Sequence, residues 1–214
     1  MKVNFIGKTK DEDTNELEYY QYSLKGYKIV KLFADKHDLP VAALQEMIQT
    51  MYVYHDHNQF SIDLSKMFNV KKNEILPSYV GTIVNHALFI MDKEYFLIQN
   101  PSYIGDSEYI KLIAHELAHE YHIFLLDGNE NDMGPIWFYE GFATAVANQY
   151  EDQDKSYSKE KIKEVILTND RNSYAVYRRL FEIIEINFDM AYILRAINNP
   201  HFVNRIIDLI EKEI

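Results

Sequence analysis

His115-Glu116-Leu117-Ala118-His119 is the stretch on which the architecture of this 214-residue chain depends. Its flanks have the apolar spacing of a helix, and Asp127-Gly128 supplies a stop signal after them. Two histidines four residues apart on a helix lie on the same face, so both imidazoles can bind one metal ion. Glu116 lies about 100° round the helix from His115, where its carboxylate can reach a metal-bound water without being a ligand.

A third ligand is expected on a separate element, because a catalytic zinc ion normally keeps three protein ligands and one open position for water. Glu140 is the best candidate, since it stands near the start of a second predicted helix, residues 137 to 150. The preceding loop is long enough to reverse the chain, so two antiparallel helices would bring Glu140 beside the histidines. Gly141 and Ala143 are small and permit close helix approach. Because the chain contains no cysteine, any metal site must use histidine and carboxylate.

These two segments together resemble the gluzincin metallopeptidases, which pair H-E-x-x-H with a downstream glutamate. The second segment reads Pro135-x-Trp137-Phe138-x-Glu140-Gly141-Phe142-Ala143-Thr144, and it is similar to the corresponding region of the large zinc aminopeptidases and of short peptidase-MA-like proteins. The resemblance covers roughly residues 79 to 190. It implies Zn²⁺ bound by His115, His119 and Glu140, with Glu116 as the general base and a peptide or protein as the substrate.

The same resemblance implies a tyrosine that stabilises the oxyanion and that opens a helix after the third ligand. Ser173-Tyr174-Ala175-Val176-Tyr177 is the nearest match, which favours Tyr174 and leaves Tyr177 as the reserve. With 17 tyrosines in the chain, some match by chance is expected, so this assignment rests on the least specific part of the pattern.

Departures from the family pattern narrow the expected activity. The large aminopeptidases carry G-A-M-E-N upstream to hold the amino terminus of a substrate, whereas the corresponding region here is Val84-Asn85-His86-Ala87-Leu88-Phe89. We therefore expect a metallopeptidase that is not an aminopeptidase. The alternative is a catalytically silent metal-binding protein that holds a partner peptide on the same scaffold. The substrate, endo- or exopeptidase action and the oligomeric state stay open.

The order of predicted elements gives an α+β chain with a small sheet in its first half and helices in its second, and the resemblance implies a zincin-like fold with a thermolysin-like catalytic core. It is a single domain, with a sheet-containing lobe at residues 1–106 and a helical lobe carrying the metal site at 107–214. Strands are predicted at 79–91 and 95–99, and helices at 39–55, 107–126, 137–150, 158–168, 173–187, 189–198 and 200–213. Residues 1–34 are ambiguous, and 3–6 fit a short strand. Residues 14–34 fit either a helix or a hairpin with Gly26 at its turn.

Two further histidines near the motif have open roles. His122 follows His119 on nearly the same face, but about 10 Å along the axis from His115 at roughly 1.5 Å per residue, so one ion cannot easily join all three. A histidine beside the ligands, or one simply packed in the core, is expected. His86 falls in the predicted strand before the motif, either facing the cleft or as an ordinary strand residue.

Bulk properties exclude several classes of function. A formal net charge of −11 argues against a nucleic-acid or anionic-membrane partner. The amino terminus lacks an apolar signal-peptide core, and no run is long and apolar enough to span a membrane. These features, with the absence of cysteine, predict a soluble, cytoplasmic protein. The cofactor that the resemblance implies is Zn²⁺, and no other cofactor is expected.

Overall fold

The computed structural model describes residues 1–7, 16–151, 157–168 and 173–213. Within these residues the chain is an α+β protein with one four-stranded sheet and a largely helical carboxyl-terminal half. The strands are β1 (Lys2–Ile6), β2 (Thr50–Tyr54), β3 (Gly81–Val84) and β4 (Ala87–Met91). The helices are α1 (Glu16–Lys36), α2 (Leu44–Met47), α3 (His57–Phe68), α4 (Lys93–Gln99), α5 (Ser107–Leu125), α6 (Ile136–Val146), α7 (Lys159–Thr168), α8 (Tyr174–Asn187), α9 (Met190–Ala196) and α10 (Pro200–Glu213).

The sheet has the order β1-β2-β4-β3. Strands β1, β2 and β4 are parallel, and β3 pairs antiparallel with β4 at one edge. Two residues join β3 to β4, Asn85 and His86, and both have positive φ, at 50° and 59°. Positive φ at both central positions is typical of the two-residue hairpin turn that matches the twist of its strands.

By its internal contacts the chain forms two compact units, Met1–Lys28 with Ala43–Leu117, and Ile29–Ala42 with Ala118–Ile214. The first unit contains the sheet, covered on both faces. On one face Phe5 of β1 contacts Tyr19 of α1, with ring centroids 5.4 Å apart. On the other face Tyr54 of β2 and Met91 of β4 form a buried cluster with Phe60 and Leu64 of α3.

Helix α5 packs closely on α1 within the first unit. A Cβ placed on Gly26 of α1 would lie 3.1 Å from Cγ2 of Ile113 and 3.2 Å from the backbone nitrogen of Ala114. The tyrosine Tyr109 of α5 is fully buried and donates its hydroxyl hydrogen bond to the Met91 carbonyl, 2.8 Å away. The sheet and the small residue on α1 therefore fix the part of α5 that leads into the motif.

The second unit is helical, with a core of aromatic rings. Phe142 of α6 contacts Phe33 of α1 and Phe181 of α8, at centroid distances of 5.5 and 5.7 Å. Phe138, one turn before Phe142, contacts Phe181 at 5.8 Å. Helix α6 is therefore held by rings on both sides of Glu140.

The predicted helix at 39–55 is wrong. Only Leu44–Met47 forms a helical turn, and Thr50–Tyr54 is strand β2. This strand lies between β1 and β4, so Met51 and Val53 are buried on one face and Tyr54 on the other. A strand that is buried on both faces has apolar residues at most positions, and some of them match a helical spacing by coincidence.

The predicted strand at 95–99 is also wrong, because Lys93–Gln99 is helix α4. Asp92 accepts a hydrogen bond from the Tyr95 backbone nitrogen at 2.7 Å, which caps the first turn of the helix. The prediction that His86 lies in a strand is also wrong. His86 is an exposed residue of the hairpin turn, and its carbonyl accepts a hydrogen bond from the Gln49 nitrogen at 2.8 Å.

Other predicted elements are confirmed. The first strand, the hairpin region at 79–91, the motif helix and the five helices after it are all present, with ends shifted by a few residues. Glu16–Lys36 is a helix, so the hairpin alternative for this stretch is wrong; residues 14 and 15 lie outside the described part of the chain. No helix in the described residues is long and apolar enough to cross a membrane.

Candidate metal centre

Three side chains predicted as ligands come together in the structure. His115 and His119 lie one turn apart on α5, and Glu140 lies on α6. Each offers one ligand atom, and these atoms all lie within 4.8 Å of one another. His115 and Glu140 are buried, at 8% and 5% exposure, and the His119 side chain is 16% exposed. A His-His-Glu group of this kind could bind a metal ion.

The distance between the His119 and Glu140 side chains can be compared with that of a hydrogen bond and with that of two ligands of one ion. Nε2 of His119 lies 3.6 Å from Oε2 of Glu140, longer than a strong hydrogen bond. Two ligands about 2.0–2.2 Å from one tetrahedral ion lie about 3.3–3.6 Å apart. The observed separation fits that arrangement, and imidazole with carboxylate is a donor set that zinc accepts.

Glu116 is buried, with 7% exposure, and it lies against the edge strand β3. A Cβ placed on Gly81 would be 3.2 Å from Oε1 of Glu116 and 3.5 Å from its Cδ and Cγ. The Gly81 position was missed by the sequence analysis, although a glycine inside a strand is a recognised sign of close approach by another group. The carboxylate of Glu116, the expected general base, therefore occupies the space that a side chain at position 81 would fill.

Helix α6 holds Glu140 through a close contact with α8. A Cβ on Gly141 would lie only 2.7 Å from the backbone oxygen of Tyr177, so the two helix backbones touch at the residue after the glutamate. The guanidinium of Arg178 donates to the backbone oxygens of Thr144 and Ala145, at 3.2 and 2.8 Å. These two carbonyls also accept from the backbone nitrogens of Gln149 and Asn148, at 3.0 and 3.2 Å, so Arg178 adds a further donor at the carboxyl-terminal end of α6.

Arg178 is itself held by a carboxylate on its own helix. Its Nε donates to Oε1 of Glu182 at 2.9 Å, and the two side chains are only 11% and 12% exposed. Thr144, four residues after Glu140, donates its hydroxyl hydrogen to the Gly141 carbonyl at 2.9 Å. Its single proton is therefore used within α6 and not on a ligand histidine.

His122 is a packed histidine, which confirms one of its two predicted roles. It is fully buried, its ring contacts Phe138 and Phe142 at 5.7 and 4.6 Å, and neither ring nitrogen has a hydrogen-bond partner among the residues that the structure describes. Burial, with a smaller contribution from the nearby His119, lowers the pKa of His122 to about 3. The ring is therefore neutral at physiological pH and serves as part of the aromatic core.

The tyrosines predicted to stabilise an oxyanion lie at the start of α8. Tyr174 is its first residue, Tyr177 is fully buried, and their rings are 5.7 Å apart. The role of either residue as an oxyanion donor stays a prediction. A third tyrosine, Tyr139, lies directly before Glu140 and places its ring 5.8 Å from that of His119 in an edge-to-face arrangement. The sequence analysis did not predict that Tyr139 would contact His119.

No known protein family, no curated protein and no solved structure matches this chain. The candidate site therefore rests on the geometry of its own residues.

Proposed function

We propose that this chain is a zinc-dependent metallopeptidase with a zincin-like, gluzincin-type site, acting on internal or terminal peptide bonds without the amino-terminus recognition of an aminopeptidase. The observation that carries the proposal is the convergence of His115, His119 and Glu140, together with the buried carboxylate of Glu116, one residue after His115 on the same helix. Three ligands plus a separate carboxylate are the parts that metal-assisted hydrolysis of an amide requires.

His115, His119 and Glu140 would hold the zinc ion. When bound there, zinc supplies Lewis-acid polarisation of the substrate carbonyl and lowers the pKa of water towards neutrality. Glu116 accepts a proton from the attacking water and then donates it to the leaving amine. Tyr174, or Tyr177 in its place, donates a hydrogen bond to the developing oxyanion. Burial of Glu116 and Glu140 keeps these carboxylates in a medium where such interactions are stronger than in water.

The edge strand β3 supports a peptide as the substrate. Met91 donates to the Val80 carbonyl at 2.8 Å, and the register pairs Thr82 with Phe89. Because bonded and non-bonded pairs alternate in an antiparallel ladder, the N–H and C=O groups of Gly81 and Ile83 point away from β4. An extended peptide can add to such an edge by backbone pairing, and one end of this edge lies at Glu116.

Metal analysis is the first test of the proposal. Protein purified without chelator or nickel resin is expected to contain about one zinc ion per chain, and Glu140→Ala is expected to weaken zinc binding. Zinc far below that stoichiometry, or unchanged affinity in the variant, would contradict the ligand assignment.

Turnover of a diverse peptide library is the second test. Glu116→Gln is expected to keep the metal and to abolish hydrolysis, because the amide cannot accept the proton. Glu108→Gln is the matched control on the same helix. Glu108 forms a partly exposed ion pair with Lys111 at 2.9 Å, so this substitution is expected to leave turnover unchanged. Specific peptide binding without cleavage in the zinc-loaded wild type would instead support a silent peptide-holding protein.

A further inference from the structure

The space between β3 and α5 is shaped by one missing side chain. Gly81 is buried in the edge strand, and the direction in which its Cβ would point leads to the Glu116 carboxylate, 3.2 Å away. A carbon at that distance is closer than an ordinary van der Waals contact of about 3.5–4.0 Å. Any other residue at position 81 would therefore compete with Glu116 for the same volume.

The strand does not need glycine at this position for its own backbone. Gly81 pairs with Ile90 in the regular antiparallel register, and its φ is not among the positive values found at four other glycines. Alanine could adopt the same conformation, and it would lose less conformational entropy on folding. The contact with Glu116 is thus the feature of the structure that explains glycine here.

We propose that Gly81 is a positioning residue for Glu116: its lack of a side chain leaves the pocket in which the carboxylate is held beside the edge strand. The effect of Gly81 on catalysis rests on the proposed function. The packing of Gly81 against Glu116 does not, because both residues lie in the first compact unit and their contact can be tested without any activity.

A double-mutant cycle on thermal unfolding tests the structural statement. In full-length protein with chelator present, Gly81→Ala is expected to lower the midpoint temperature by about 2–4 °C. In a Glu116→Ala background the added methyl meets no carboxylate, so Gly81→Ala is expected to leave the midpoint unchanged or to raise it. The same shift in both backgrounds would overturn the proposal.

Gly26→Ala is the matched control, because it also adds a methyl group against α5. That methyl would meet Ile113 and Ala114 and not Glu116. Its effect on the midpoint is expected to be the same with and without Glu116→Ala, since the two changes share no contact. If Gly81→Ala alone fails to fold, recovery of folding in the Glu116→Ala background supports the proposal, and failure in both backgrounds overturns it.

The catalytic statement has its own readout in the zinc-loaded enzyme. Gly81→Ala is expected to keep the zinc stoichiometry and a KM near that of the wild type, while kcat falls about tenfold; this is less than the ~100-fold cost of a 1 Å misplacement, because the carboxylate must give by only a few tenths of an ångström. Unchanged kcat would overturn the positioning role. If the wild type hydrolyses no peptide, the proposed function fails, and the unfolding cycle still decides whether Gly81 accommodates Glu116.

Discussion

The two functional glutamates each lie beside a glycine, but the two glycines face different kinds of neighbour. The Cβ direction of Gly81 meets the carboxylate of Glu116, which is the far end of a side chain with three rotatable bonds. The Cβ direction of Gly141, directly after Glu140, meets the backbone oxygen of Tyr177 at 2.7 Å. One contact can relax by rotating a side chain, and the other can relax only by moving a helix.

Because of this difference, substitutions at the two glycines should have different consequences. A residue larger than glycine at position 81 displaces the carboxylate of Glu116 and disturbs the rest of the molecule little. A larger residue at position 141 forces α8 away from α6 and disturbs the packing around Glu140. A substitution beside Glu116 therefore tests the proposed chemistry, and a substitution beside Glu140 tests the stability of the fold.

The largest expected effect comes from Gly141→Ala. Because the clash is with backbone, we expect a loss of about 3 kcal/mol or more of unfolding free energy, at the upper end of the range for overpacked cores. At about 2–4 °C per kcal/mol for a chain of this size, the midpoint temperature should fall by about 6–12 °C in a thermal unfolding experiment.

Gly128→Ala is the control for this comparison. Gly128 follows α5 with φ of +83° and has nothing within 4 Å of an added Cβ, so its substitution costs only backbone strain, about 1–2 kcal/mol. A Gly141→Ala variant that is no less stable than Gly128→Ala would break the distinction between backbone and side-chain neighbours.

The next effect concerns the arginine that joins α8 to α6. Arg178→Ala removes two hydrogen bonds to α6 carbonyls and leaves the Glu182 carboxylate buried without this cation, so we expect a loss of about 2–4 kcal/mol in denaturant unfolding. Arg179→Ala is the neighbouring control, because Arg179 lies 3.7 Å from Glu182 and is 31% exposed. It should cost less than about 1 kcal/mol; equal losses would remove the special role of Arg178.

The smallest effect at neutral pH comes from His122, and it grows with acidity. The pKa of His122 is about 3 in the folded protein and 6.5 as its ordinary value, so the unfolded chain binds the proton more readily. Its contribution to stability is fully present above pH 6.5 and is lost as the pH falls towards 3, at about 1.4 kcal/mol per pH unit. His122→Leu should remove this dependence from unfolding curves measured with chelator between pH 6.5 and 4.5.

His201→Leu is the control for the pH series, because it replaces an exposed histidine of α10 and should leave the slope of stability against pH as in the wild type. A His122→Leu variant whose stability falls with acid as steeply as that of the wild type would show that the buried imidazole is not the group responsible.

Sequence patterns were sufficient to predict that His115, His119 and Glu140 come together, because these residues are close in the sequence. His115 and His119 share a helix, and Glu140 follows after one loop with a small residue beside it, so a helical period and a reversal of the chain bring them together. The carboxyl-terminal helices were equally predictable, since apolar period and start signals such as Asp189 and Pro200 agree there.

The failures lie where distant residues decide the outcome. Strand β2 was predicted as helix because its burial comes from β1 and β4, which no local period records. The contact of Gly81 with Glu116 joins residues from a strand and a helix, and the sequence shows only an isolated glycine. The α4 segment fails for a local reason, because Asp92 is a residue type that starts helices and caps this one, although the segment after it was predicted as a strand.

The Gly141 contact also bears on how this protein can change in evolution. Because the Tyr177 carbonyl and not its ring meets Gly141, the constraint acts on the path of α8 and falls on the sequence at position 141 alone. Natural variants should therefore keep Gly141, even in lineages that have lost Glu116 and with it the proposed chemistry. Glycine at 81, by contrast, should drift once Glu116 is gone, so the pair of glycines would distinguish working descendants from silent ones.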